Sequence, residues 1–171
     1  MRMDEDFFLS AYDLINNLSE VELGNIFRKF GEERYHRIIA RAVVQARKDL
    51  PISTTTQLAN IIIRALGSKA HNSRIHPAAR IFQALRIAVN RELEVLEASC
   101  VKAIDLLNRG GIIGIISFHS LEDRIVKNVF REYACRGLLN IVTKKPLIPS
   151  EPEEHENRAS RSAKLRVAQK K

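Results

Sequence analysis

Every strand signal in this chain lies after residue 110, and that asymmetry limits the folds open to it more than any other feature. The run IIGIISF (112–118) carries no charge, is too apolar for an edge, and predicts a strand buried on both faces. LLNIVTKK (138–145) and AKLRVAQK (163–170), rich in β-branched and alternating residues, predict two more. Between these two, PLIPSEPEEHENRASRS reads as a loop, while a helix from Ser120 to Tyr133 follows the first strand. A strand handing over directly to a helix is the pattern of an open α/β sheet, so the rest of the sheet has to be accounted for.

The first half reads as helices alone. Ser10-x-x-Asp13 and Ser19-x-x-Glu22 are helix starts, the second a capping box, with a stop at Gly31 after Phe30. From Glu32 to Lys48, Tyr35, Ile38, Ile39, Ala42, Val43 and Ala46 form a helical apolar stripe. Arg34, Arg37, Arg41 and Lys48 line another face, suited to phosphates or simply to solvent. Leu50-Pro51 breaks that helix, Thr54-x-x-Gln57 starts the next, and Gly67 ends it before a basic loop over 67–75.

His76-Pro77 opens the helix HPAARIFQALRIAVN. At 100° per residue, Ala78, Ile81, Phe82, Leu85, Ala88 and Val89 share one face, and His76, Arg80, Gln83, Arg86 and Asn90 share the opposite one. Arginines and amides are multi-donor groups, fitted either to RNA or to buried carbonyls at an interface between lobes. A further helix spans Arg91 to Asn108, with Leu93, Leu96, Val101, Ile104 and Leu107 as core positions.

The charge is segregated. No acid lies between Asp49 and Glu92, a stretch carrying Arg64, Lys69, Arg74, Arg80, Arg86 and Arg91. None follows Glu156, where Arg158, Arg161, Lys164, Arg166, Lys170 and Lys171 stand, and the whole 171-residue chain carries +8. Such segregation suits a polyanion, nucleic acid foremost, although a basic surface with a frayed tail looks the same. Cys100 and Cys135 lack metal or redox spacing, which predicts reduced thiols, no metal site and a cytoplasmic setting. The acidic start MRMDEDFF and the shortness of every apolar run predict neither signal peptide nor membrane span.

The strand end at 117–123 is the place to look for chemistry, because ligands of open α/β sheets sit at carboxyl strand ends. Ser117, Phe118, His119 and Ser120 are candidates for a pocket wall there. A Ser-His-Asp set of Ser117 or Ser120, His119 and Asp123 is the hydrolase reading. Against it, Ile116 and Phe118 flank Ser117 where a nucleophile elbow wants small residues, and Ser120 with Asp123 fits a helix cap. Gly110-Gly111 precedes its strand, whereas a nucleotide-cradling loop follows one, so it reads as a turn.

MRMD, GEERY, HPAARIFQALRIAVNRE, GGIIGIISFHSLEDRIVK and TKKPLIPSEPEEHENRASRSAKLRVA run in register from Met1 nearly to Lys171. Together they resemble the bacterial 16S ribosomal RNA small subunit methyltransferase H family. The resemblance implies methylation of a cytidine N4 in the 16S rRNA of the small ribosomal subunit, with S-adenosylmethionine as cofactor. It implies an α/β fold: a helical substrate- or RNA-recognition insertion domain over residues 1–90, then the C-terminal part of a Rossmann-like class I methyltransferase sheet over 91–171. Strand 163–170 would be the antiparallel partner at that sheet's edge. The family's glycine-rich cofactor loop, ribose-binding acid and catalytic Ser-Ser-Pro-Gln-type segment precede the part that MRMD begins. No residue here matches a catalytic or cofactor-binding position, and the chain is expected to be an incomplete portion, inactive alone and self-associating through an exposed sheet edge. A non-catalytic RNA- or ribosome-binding module is the alternative.

Overall fold

In the computed structural model, which describes residues 1–3, 9–72 and 76–171, the helix starts written into the sequence organise the first half. Ser10, Ser19 and Thr54 each accept a backbone N–H three residues on, and Asp13, Glu22 and Gln57 return the bond. These capping boxes open α1 (Ala11–Asn17), α2 (Glu20–Gly31) and α4 (Thr55–Leu66), while α3 (His36–Ala46) and α5 (Ala79–Asn90) begin without a side-chain cap. The basic loop after Gly67 starts as a 3-10 turn over Gly67–Asn72; residues 73–75, Arg74 among them, and Asp4 of MRMD lie outside the described residues.

The apolar stripes of these helices meet in one core, which includes Leu23, Phe27, Ile39, Val43, Ile62, Ile81 and Leu85. Of the stripe expected on α3, Ile39 and Val43 are buried but Ile38 is exposed. Gly31 does not end α2 as a left-handed cap; Glu32 takes that conformation, with φ 47°. Glycine is needed at 31 because a Cβ there would stand 2.7 Å from the Arg80 carbonyl oxygen, so it lets α5 approach α2. The carboxyl end of α1 is closed by Arg47, whose guanidinium donates to the Ile15 and Leu18 carbonyls at 2.5 Å each. Met1–Glu92 forms the first of two compact units and Leu93–Lys171 the second.

The second unit is α/β. It contains α6 (Glu92–Leu106, of which Glu92 is the last residue of the first unit), β1 (Ile112–Ser117), α7 (Ser120–Cys135), β2 (Leu139–Ile141), α8 (Glu151–Glu156) and β3 (Lys164–Lys170). The three strands form a sheet of order β1-β3-β2, antiparallel at both junctions. Its β1–β3 register runs from Ile112 opposite Gln169 to Ser117 opposite Lys164. Thus β3 is antiparallel as expected but lies in the middle of this sheet, not at its edge. The second strand is shorter than expected, ending at Ile141, and the loop expected before β3 contains α8, capped by Ser150, and a 3-10 turn over Arg158–Ser162.

The expectation that β1 is buried on both faces fails. Ile113 and Ile115 pack toward Cys100, Ile104, Val126, Phe130, Tyr133 and Ala168, but Ile112 and Ile116 are 65% and 57% exposed. Side chains alternate along a strand, so a helix layer on one side can cover only every second residue. Among the described residues β1 is also hydrogen-bonded along one edge alone. No helix of the described residues is long and apolar enough to cross a membrane.

Candidate functional sites

On α5, the polar face predicted for RNA or a lobe interface is occupied within its own unit. Gln83 Nε2 donates to the Phe30 carbonyl at 3.2 Å. Asn90 Nδ2 donates to the Met1 and Arg86 carbonyls at 2.9 and 2.8 Å, and its Oδ1 accepts the Met3 N–H at 2.8 Å. The Arg86 guanidinium meets Glu92 at 2.9 Å, and His76 Nδ1 accepts the Ala78 N–H at 3.2 Å. The amides therefore bond to backbone groups of their own unit. Arg80 keeps half its side chain in solvent, with one nitrogen 3.9 Å from Glu33.

Sequence reasoning passed over what surrounds Glu33. This carboxylate is 7% exposed; its Oε1 accepts the Tyr35 N–H at 2.8 Å, which fixes the turn between α2 and α3. Around the half-buried Tyr35 ring stand the Arg34 guanidinium, 5.7 Å from the centroid, and the Lys69 ammonium, 5.0 Å from it. Lys29 lies 5.0 Å over the neighbouring Phe30 ring. The sequence signal for this cluster is the GEERY string, whose Tyr35 also falls on the apolar stripe of the following helix.

At the β1 end, the cap is one residue earlier than expected. His119, not Ser120, is the N-cap of α7: its Nδ1 accepts the Glu122 N–H at 3.3 Å, and Glu122 Oε2 accepts the Phe118 and His119 N–H groups at 2.7 and 3.3 Å. His119 Nε2 lies 3.1 Å from Glu122 Oε1, off the line of a good hydrogen bond. Burial pushes the Glu122 carboxyl up, but the bonds from His119 and the Phe118 N–H outweigh it and hold it below the ordinary glutamate value. Asp123 is not a capping residue either. It receives Arg166 Nε and Nη2 at 2.7 and 3.0 Å, a fork-to-fork pair between α7 and β3, and its carboxyl is held low chiefly by that bond.

Ser117 is buried, with its Oγ 3.4 Å from the Lys164 carbonyl, and Phe118 is 54% exposed. Both ring nitrogens of His119 face Glu122, and Asp123 belongs to Arg166, so no Ser-His-Asp relay forms. The Gly110-Gly111 turn is tied to β3 through Gly110 N–H to Lys170 O at 2.9 Å and Lys170 N–H to Gly111 O at 2.8 Å. The Phe118, His119 and Glu122 N–H groups at the start of α7 are engaged by an internal carboxylate and imidazole. That arrangement does not fit a loop cradling the carboxylate and ribose of S-adenosylmethionine, which wants free N–H donors and an uncommitted acid.

Cys100 is buried and Cys135 exposed, both as free thiols. Two clefts lie in the helical unit, one of about 80 Å³ beside Tyr12, Ile52 and Phe82, the other of about 220 Å³ beside Leu50, Ile61, Asn60 and Arg64. Neither takes in a residue of the α5 polar face.

Comparison with known proteins covers the chain end to end. The MraW methylase family model matches residues 1–171. Ribosomal RNA small subunit methyltransferase H of Sulfurihydrogenibium is 51% identical over 99% of this chain and 58% of its own length. The proteins of the same name from Gloeothece citriformis and Acaryochloris marina are 52% and 54% identical over 100% and 99% of this chain. Of each of those two the chain spans 55%, so it covers little more than half the length of the curated relatives it matches. A match over every residue, with half of them identical, shows that the chain belongs to the MraW methylase family.

Proposed function

We propose that these 171 residues are the carboxyl-terminal portion of an S-adenosylmethionine-dependent methyltransferase acting on a cytidine N4 in the 16S rRNA of the small ribosomal subunit. The observation that carries this reading is the full-length family match to relatives named for small-subunit rRNA methylation. The partial coverage of those relatives, and the misfit of the β1 end to the cofactor, support assigning the cofactor cradle and the catalytic segment to the part of them that this chain does not span. On this reading the helical unit contributes RNA contacts, and the free edge of β1 is where the remainder of a Rossmann-like sheet pairs. Ser117 to Ser120 then form one wall of the pocket at the strand ends, with exposed Phe118 as the group available to a base. The protein acts in the cytoplasm, and without the rest of the sheet it self-associates along β1.

The test is methyl incorporation from labelled S-adenosylmethionine into small ribosomal subunits. The chain is assayed alone and with a separately expressed amino-terminal half of a complete relative. No incorporation and no cofactor binding alone, with both restored on mixing, is the expected result. Tight cofactor binding by the 171 residues alone would overturn the assignment of the cradle. RNA binding without any restored methylation would favour a non-catalytic RNA-binding module.

A further inference from the structure

Three cations of the helical unit face a carboxylate: Arg41 meets Glu20, Arg80 meets Glu33 and Arg86 meets Glu92. Arg34 and Lys69 are different. Both are exposed, and each is held against the face of the Tyr35 ring. Among the described residues neither has a carboxylate within 4.0 Å. An aromatic face restrains a cation without cancelling its charge, because the ring offers a quadrupole and no net negative charge. An ion pair would restrain it too but leave little field for a ligand.

The platform beneath these cations is held by packing and hydrogen bonds. Gly31 lets α5 pack against α2, Glu32 turns the chain in the left-handed conformation, and the buried Glu33 carboxylate holds the Tyr35 backbone while facing Arg80. Lys69 arrives from a separate segment, the 3-10 turn after α4. Two uncancelled cations at 5.7 and 5.0 Å from one ring centre stand within reach of neighbouring phosphates on a single strand.

We propose that Arg34 and Lys69, braced by Tyr35, form a phosphate-gripping site for single-stranded RNA on the GEERY turn. The proposal rests on the RNA-binding part of the reading above and names a surface that the α5 polar face, being internally engaged, does not supply. Arginine and lysine interleaved with an aromatic ring are the groups single-stranded nucleic acid uses most.

The test uses the full 171-residue chain and a short fluorescein-labelled single-stranded RNA, followed by anisotropy across a salt series. Arg34→Gln with Lys69→Gln should weaken binding about tenfold at about 50 mM salt and flatten the log–log salt slope by about 1.4, the share of two phosphate contacts. Arg41→Gln with Lys48→Gln removes the same charge from elsewhere on the unit and should cost less than about twofold. Tyr35→Phe should bind as wild type, whereas Tyr35→Leu should weaken binding about threefold with the slope unchanged, since charges stay and bracing goes. Lys69→Gln alone serves if the double variant melts early. If the chain binds RNA but the Arg34/Lys69 pair has no effect, or the Arg41/Lys48 pair costs as much, this site is wrong while the RNA reading stands. If wild type shows no salt-dependent RNA binding, both fall together.

Discussion

The two units answer opposite questions about unsatisfied groups. In the helical unit polar side chains that looked available from outside are turned inward onto backbone: Asn90 holds Met1 and Met3, Gln83 holds Phe30, and Arg47 closes α1. The strand-bearing unit closes its polar groups as well, through the Asp123–Arg166 pair and the His119–Glu122 cap, yet leaves Ile112, Ile116 and Phe118 in solvent at one side of its sheet. A helix satisfies its backbone internally, so a bundle can be complete with few elements. A strand cannot, and an edge strand carries its unmet hydrogen bonds outward.

If that contrast is right, the largest effect comes from the bundle's own core. Phe27, fully buried between α2 and its neighbours, should cost about 4 kcal/mol when changed to alanine. Hydrogen-exchange mass spectrometry should then show α2 and α5 losing protection while β3 keeps its own, because Ala168 and Leu139 belong to a different core. Equal loss of protection in β3 would break the comparison.

Next in size is Asp123→Ala. It leaves Arg166, 7% exposed, as an uncompensated cation and should cost about 3 kcal/mol at neutral pH. The pair also fixes a pH dependence. The Arg166 bond holds the Asp123 carboxyl below its ordinary 3.8, and the His119 and Phe118 bonds hold Glu122 below 4.5. Both carboxyls are ionised in the fold, so their stabilisation is complete above those values and is lost as pH falls through the lowered ones. Urea unfolding followed by circular dichroism should therefore show the midpoint dropping below about pH 4.5 in wild type, and less steeply in Asp123→Ala. An identical acid profile in both would mean that Asp123 contributes nothing to it.

What the sequence disclosed divides along the same line. Local rules were legible: Ser19-x-x-Glu22 and Thr54-x-x-Gln57 cap as their spacing says, and the stripe on α5 is buried. Choices settled by distant partners were not. Ser120 and Asp123 satisfied a capping pattern as well as His119 and Glu122 did, and the register was decided by Arg166, 43 residues from Asp123, claiming that carboxylate. The α5 face could be read as RNA-binding because amides and arginines look alike whether they meet phosphate or a carbonyl; only the positions of Met1, Phe30 and Glu92 decide. Tyr35 falls on the core stripe by period alone, and the cations around it come from two separate segments. The apolarity of β1 predicts cover on both faces, yet the helices of its unit cover one, because the residues alone do not say how many layers stand beside the sheet.

The smallest effect on stability should carry the largest on association. Ile112 and Ile116 stand out from β1 and contribute little to the packed face, so Ile112→Lys with Ile116→Lys should change stability by less than about 0.5 kcal/mol. The open edge of β1 offers backbone donors and acceptors flanked by apolar side chains, the arrangement that pairs with another copy of itself. Charge on an edge opposes such pairing, because two lysine-bearing strands brought together repel and must shed their hydration. Sedimentation velocity should find wild type associating as concentration rises and the double variant monomeric at the same concentrations. Val21→Lys, at an exposed position of α2 that is 72% accessible, supplies the matching change in the helical unit and should leave association as in wild type. If Val21→Lys dissolves the assemblies while the β1 lysines do not, the sticky surface lies on the bundle, and the assignment of closed and open units must be reversed.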